Sequence, residues 1–358
     1  MKTLLQVMVW MLLAAVGGAY GAAPAARAPG VDLVGQWRGS LAADPKTKLT
    51  IQFDIARRPD EGYIVVLDSP DTGAIKNTPA SKVTFAGGRL QFEVPSLQGA
   101  YSGTLANGVL TGEWKQSTGV LPLNLTPYQP PQLSKAAVDG LKGTWVGPLE
   151  FSGVKLTMVL AFKPDDANGL SGTFRSPDQG GGEAPVTSIE FNGDRLTARV
   201  PAGAIDLNLK LAGDTLTGFL KQPGMPGDGA PLTMKRGEYV APVFSLASSA
   251  EARKQLAGQW SGQLSPPANA PPGTPATPRR IVVSFRTNDK DQFVGAIEFP
   301  DPPKGGFPIQ DLLLNGSELT LKAGPGGALQ YTAHLAGRTL TGDWTAGPFK
   351  VPLVLTRN

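Results

Sequence analysis

Leu33-Val-Gly-Gln-Trp-Arg-Gly-Ser-Leu41 returns as Leu141-Lys-Gly-Thr-Trp-Val-Gly-Pro-Leu149 and again as Leu256-Ala-Gly-Gln-Trp-Ser-Gly-Gln-Leu264. Each copy later carries Leu-Thr-Gly with a large apolar residue two positions on: Leu110-Thr-Gly-Glu-Trp114, Leu216-Thr-Gly-Phe-Leu220 and Leu340-Thr-Gly-Asp-Trp344. Each closes on a Pro-Leu strand, at Pro122-Leu123, Pro231-Leu232 and Pro352-Leu353. The first two copies also share Lys-Leu-Thr at 48 and 155 and Ser-Pro-Asp at 69 and 176, both 107 residues apart. Matches in the same order three times make this a tandem repeat, in which each copy is one structural unit. The units run over residues 32–127, 141–236 and 256–358, with linkers over 128–140 and 237–255.

Inside the first unit the apolar period is two. Trp37, Gly39 and Leu41 alternate with Arg38 and Ser40, and Leu49, Ile51, Phe53 and Ile55 alternate with Lys48, Thr50, Gln52 and Asp54. The same alternation continues through Tyr63–Leu67, Val83–Phe85, Leu90–Val94, Tyr101–Leu105, Leu110–Trp114 and Leu121–Leu125. Such segments are strands with one face inward and one toward water. Turn residues separate them, Asn107-Gly108 being the clearest hairpin signal. Eight short strands with no helices to cover them bury one face best by closing into a barrel, which also removes the exposed edges. The expected fold is therefore all-β: three tandem eight-stranded antiparallel up-and-down barrels with short helical linkers. A two-sheet sandwich is the alternative, disfavoured because the connections are too short for Greek-key crossings. Ser134 caps one linker helix, and Ser245–Gln255 is a second helical stretch.

Composition agrees. The 358 residues include 45 Gly and 33 Pro, which disfavour helix interiors. Hydrophobic residues make up 41%, enough to bury cores rather than remain disordered. A net charge of +4 spread over the chain is no nucleic-acid footprint. With no Cys and a single His, thiol chemistry, disulfides and the usual zinc sites fall away. No cofactor is expected.

At the N-terminus Lys2 precedes an apolar run from Leu4 to Val16, followed by Ala19-Tyr20-Gly21. This is the pattern of a secretory signal peptide over residues 1–21, with cleavage before Ala22 and a flexible leader over 22–31. An uncleaved anchor is the alternative. No later stretch is long and apolar enough to span a membrane. The expected destination is periplasmic or extracellular.

Gly-x-Trp opening the first strand, at Gly35 and Trp37, Gly143 and Trp145, and Gly258 and Trp260, followed by about eight strands, resembles the calycin pattern of lipocalins, fatty-acid-binding proteins and avidins. The resemblance implies a small β-barrel and, more weakly, a ligand in its mouth. Each unit is shorter than a lipocalin and lacks its C-terminal helix and long mouth loops. The unit also resembles the β-rich module that precedes the catalytic domain of some secreted α/β-hydrolases, although no hydrolase domain follows here.

Catalytic patterns are thin. There is no Gly-x-Ser-x-Gly. Ser152-Gly-Val-Lys155 matches Ser-x-x-Lys but straddles a predicted hairpin, and no carboxylate pair is marked for glycoside chemistry. Asp165-Asp166-Ala-Asn168 lacks the spaced ligands of a calcium loop. His334 falls outward, opposite to Tyr331 and Leu335. The candidate ligand-binding residues are Trp37, Trp145 and Trp260, which plug a barrel end or line a ligand, together with Asp71, Asp178 and Asp301 in the turn after the third strand of each unit. Pro followed by Asp is also ordinary turn chemistry. Outward residues such as Arg195, Thr197, Arg199, Lys48, Thr50 and Gln52 read as solvated faces.

The functional expectation is a secreted or periplasmic, non-enzymatic binding or interaction module. Its partner is an unknown protein or envelope component, with no nucleic acid and no membrane span in the mature chain. An eight-stranded barrel either fills with its own side chains or holds one small ligand, and the many inward Leu, Val and Phe favour filling. The alternatives are a carrier of a small apolar ligand, with cavities near the three tryptophans, and an accessory chain of a secreted hydrolase.

Overall fold

The computed structural model describes residues 33–42, 48–57, 62–117, 119–151, 154–166, 169–180, 182–266, 278–301 and 305–358. Residues 1–21, expected to be an export signal, the leader over 22–31, Ser152 and Asn168 lie outside the described residues.

Three antiparallel barrels follow one another along the chain. The first contains β1 (Gly35–Ala42), β2 (Lys48–Arg57), β3 (Tyr63–Asp68), β4 (Thr78–Pro79), β5 (Ser81–Ala86), β6 (Arg89–Val94), β7 (Gly99–Ala106), β8 (Val109–Gln116), β9 (Gly119–Pro122) and β10 (Leu125–Tyr128). The second contains β11 (Gly143–Phe151), β12 (Val154–Asp165), β13 (Gly169–Arg175), β14 (Ala184–Asn192), β15 (Arg195–Val200), β16 (Ile205–Ala212), β17 (Thr215–Lys221) and β18 (Ala230–Arg236). The third contains β19 (Gly258–Leu264), β20 (Arg279–Thr287), β21 (Phe293–Phe299), β22 (Gly305–Asn315), β23 (Glu318–Ala323), β24 (Leu329–Ala336), β25 (Thr339–Ala346) and β26 (Phe349–Arg357).

Barrels two and three are closed meanders of eight strands. Barrel one is a ten-stranded sheet whose extra members are two strands each cut in half. β4 pairs with β3 while β5 pairs with β6, just as the two halves of the continuous β14 pair with β13 and β15. β9 and β10 likewise divide the work of β18, with Leu123 still donating to the Gly112 carbonyl between them.

The repeated motif is explained piece by piece. Gly35, Gly143 and Gly258 have φ of 131°, 109° and 115°, turning the chain into the first strand through a backbone conformation that side chains resist. Gly39, Gly147 and Gly262 sit where the last strand crosses so closely that a Cβ would collide with the carbonyls of Asn124, Thr233 and Val354. The glycines of the Leu-Thr-Gly motif stand against the preceding strand in the same way.

Each interior is occupied by its own side chains. In barrel one Phe53 makes edge contacts with Phe92 and Tyr101, both at 5.0 Å between ring centroids. The Tyr101 hydroxyl donates to the Leu123 carbonyl, and burial pushes its pKa up, keeping it neutral.

The linkers belong to the barrels that follow them. Helix α1 (Lys135–Leu141) is capped by the Ser134 hydroxyl, which accepts from the Ala137 amide at 3.2 Å. Helix α2 (Ala250–Leu256) is capped in the same way by Ser249. It starts later than the expected Ser245 because the chain before it is extended, with the Leu246 amide bonded to the Phe293 carbonyl. Among the described residues no helix is long and apolar enough to cross a membrane.

Candidate functional site

The three candidate tryptophans occupy one structural position. Trp37, Trp145 and Trp260 are buried on β1, β11 and β19, and each indole Nε1 donates to the carbonyl of the leucine four residues earlier, at 2.9, 2.8 and 2.8 Å. In the second and third barrels an arginine at the end of the last strand covers the ring: Arg236 lies 4.1 Å from the Trp145 centroid and Arg357 5.8 Å from that of Trp260. The same arginines donate to the carbonyls of Gly140 and Lys142, and of Gln255 and Ala257. At the matching register position opposite Trp37 stands Pro127. In barrels two and three the indoles thus seal the end entered by the linker, and in all three the indole N–H is spent inside the fold.

Asp71, Asp178 and Asp301 also repeat one geometry. Each Oδ2 accepts a backbone amide from the second strand of its barrel: Thr50 at 2.8 Å, Thr157, and Arg280 at 3.3 Å. The bond to Thr50 holds the Asp71 carboxyl below the usual range. The three carboxylates pin the turn after the third strand back onto the second. The remaining polar candidates stay apart: Lys155 pairs with Glu150 at the surface, and His334 Nδ1 lies 2.8 Å from Glu318 Oε1, both well exposed. Among the described residues no group of three or more His, Cys, Asp or Glu side chains is placed to hold a metal.

Where barrels one and two meet, the expected solvated reading is corrected at Arg199 and Gln52, while Lys48, Arg195 and Thr197 are exposed as expected. Arg199 and Gln52 are buried, at 8% and 5% exposure, because β2 and β3 pack against β14 and the turn at Pro201–Gly203. Strand β2 is buried on both faces from Ile51 to Ala56. Arg199 Nη1 donates to Asp54 Oδ2 at 2.7 Å and to Asp68, while Nε and Nη2 reach Asp206 Oδ1 at 3.1 and 3.0 Å. One guanidinium therefore joins two aspartates of barrel one to one of its own barrel. A β-bulge at Ser188 (φ 51°) aims its hydroxyl at the same cluster, where it donates to Asp54 at 3.1 Å and accepts from Gln36. Beside it Gln52 donates to Asp54 and accepts from Arg38, which stacks on Tyr128 at 3.4 Å. Asn77 closes the junction by donating to the Ala204 carbonyl.

Burial works against the Arg199 charge, but its three carboxylates outweigh that and hold its pKa above the ordinary value. Burial dominates at Asp54 and raises its pKa, with Asp68 adding to the rise and Arg199 opposing it. A folded-state pKa above the unfolded one gives stability at low pH that is lost as the pH climbs through the folded value. The junction is therefore expected to weaken as Asp54 ionises. Asp54→Asn should flatten the rise in stability on acidification, measured as unfolding free energy against pH. An unchanged slope in that variant would rule Asp54 out as the group responsible.

The junction frames a cleft of about 1170 Å³ between the two barrels. One wall is the segment from Lys76 to Ser81 with Pro95; the other is the outer face of β15, β16 and β17, with Arg195, Asn208, Lys210, Phe219 and Lys221. Phe219 is 42% exposed. Lys221 is fixed by donating to the carbonyls of Met225 and Gly227, and Lys210 pairs with Asp194 at the surface. Of the two acids lining the cleft, Asp206 is already held by Arg199. None of these residues was singled out as a site by its motif. Their proximity depends on how two barrels pack, which strand periodicity does not encode.

No family model matches the chain, and no curated protein matches it. Solved structures give distant likenesses. A DUF3598-family protein of unknown function from Nostoc punctiforme is 10% identical, with 57% of this chain and 96% of that one covered and a TM-score of 0.19. A variant of transferrin binding protein B from Haemophilus parasuis is 9% identical over 91% of this chain and 76% of that one, with a TM-score of 0.20. The pol III beta chain of Caulobacter crescentus is 11% identical over 98% and 96%, with a TM-score of 0.17. None of these likenesses supports an assignment of function.

Proposed function

We propose that this protein is an exported, non-enzymatic binding module in which three calycin-like barrels are filled scaffolds and the binding surface lies between barrels one and two. The observation that carries the reading is the place of the cleft. It is walled by outward side chains of two barrels, while the inward side chains pack on one another and on the buried tryptophans. A buried three-carboxylate clamp beside it holds the walls in fixed relation, so a ligand would meet a surface already organised for it. Export is supported by the charged start, apolar run and small-residue cleavage site of residues 1–21.

Native mass spectrometry of the secreted protein, beside the same sample denatured, tests both parts. The expected result is a chain beginning at Ala22 with no additional mass released on denaturation. A small apolar molecule released from the folded chain would replace this reading with that of a carrier. Retention of residues 1–21 in the mature protein would overturn the cleaved export signal.

A further inference from the structure

The three barrels serve as controls for one another, because their sheet registers coincide position for position. On the cleft wall, barrel two carries Arg195, Asn208, Lys210, Phe219 and Lys221. At the matching outward positions barrel one has Arg89, Ser102, Thr104, Glu113 and Lys115, and barrel three has Glu318, Thr332, His334, Asp343 and Thr345. Where the other two barrels place an acid, barrel two alone presents an aromatic ring, and it does so inside the cleft. It also gains a lysine where they have Thr104 and His334. From the opposite wall Lys76 adds a further cation. Lys210 is balanced by Asp194, which stands where the other barrels have Gly88 and Ser317. Solubility would favour the acid that those barrels keep at the Phe219 position, so the exposed ring needs a reason.

We propose that this cleft binds a carboxylate-bearing oligosaccharide, with Phe219 stacked on a sugar face and Arg195 and Lys76 facing its carboxylates. The assignment rests on the binding-module reading and names its ligand. The flat ring among amide, hydroxyl and cationic side chains suits a sugar, which is apolar on its ring faces and polar at its rim. On the barrel-two wall an acidic peptide is disfavoured by the topology: that barrel is closed, so β15, β16 and β17 offer a binding partner their side chains and no free strand edge for main-chain pairing.

The test is calorimetric titration of the full mature chain with oligogalacturonate, a neutral galacto-oligosaccharide of equal length and oligoglutamate. Oligogalacturonate is expected to bind, more weakly as salt is added, and the neutral sugar to bind at least about tenfold more weakly. Phe219→Ala is expected to weaken binding by about tenfold, Phe219→Trp to retain it, and Phe219→Glu, the acid of barrel one, to abolish it. These residues are exposed, so the variants should fold, as circular dichroism would check. Oligoglutamate binding as tightly as oligogalacturonate, with Phe219→Ala neutral, overturns the sugar assignment and leaves the binding-module reading standing. Failure of oligogalacturonate to bind also overturns the assignment. The reading beneath it falls only to the carrier result in the native mass spectrum.

Discussion

Arg199→Met is expected to destabilise the packing of barrels one and two by about 3–5 kcal/mol, the usual cost of removing one partner from a buried ion pair. Asp54, Asp68 and Asp206 would remain in place, crowded together without their shared cation. The methionine fills much of the arginine stem's volume, so the loss should reflect charge rather than a cavity. Acid should reverse it in part, because protonated carboxylates no longer need the guanidinium. Amide exchange would localise the effect to β2, β3, β14 and β15. A loss below about 1 kcal/mol, the scale of a surface pair, would mean that water reaches the cluster and that the clamp does not fix the cleft walls.

Trp145→Ala is the second large effect, at about 3–5 kcal/mol for a fully buried indole whose space the barrel cannot refill by collapse. The substitution also leaves the Leu141 carbonyl without its donor and Arg236 without the ring beneath it. Trp145→Phe should cost less, keeping most of the packing while losing the hydrogen bond. Denaturant unfolding followed by far-ultraviolet circular dichroism would measure both. Near-neutral behaviour of Trp145→Ala would show spare room at the barrel end and count for the carrier reading.

The strands and the barrels were legible because half-buried strands write their inward face as a period of two, and because three copies repeat the same glycines for the same steric reason. The Leu-x-Gly-x-Trp-x-Gly pattern maps onto a hydrogen-bond acceptor, a turn, a plug and a close crossing. Asp71, Asp178 and Asp301 were visible as turn residues, yet the amides they accept lie 21 residues earlier, beyond what local spacing conveys. The junction was illegible for a different reason. Gln52, Asp54 and Arg199 alternate with apolar neighbours as any solvated residue does, and a second barrel laid over an outward face leaves no mark on that rhythm. One trace existed: Phe219 breaks an otherwise acidic position among the three copies.

The two junctions use matching elements. β2 of barrel one meets the turn at Pro201–Gly203, and β12 of barrel two meets the equivalent turn at Pro325–Gly327. Their chemistry differs, since at the second the Gly306 amide donates to the Gly180 carbonyl at 3.0 Å beside Phe307. Such head-to-tail stacking has no built-in end and, between chains, would grow a filament. The chain's two outer ends do not suit one another for that. In register with Asp54 and Asp68, barrel three offers Ser284 and Glu298; in register with Arg199, barrel one offers Glu93, already paired to Lys82. A further molecule docking by the first junction's rule would set Glu298 of one chain against Glu93 of the next, acid against acid, where the first junction sets Asp68 against Arg199.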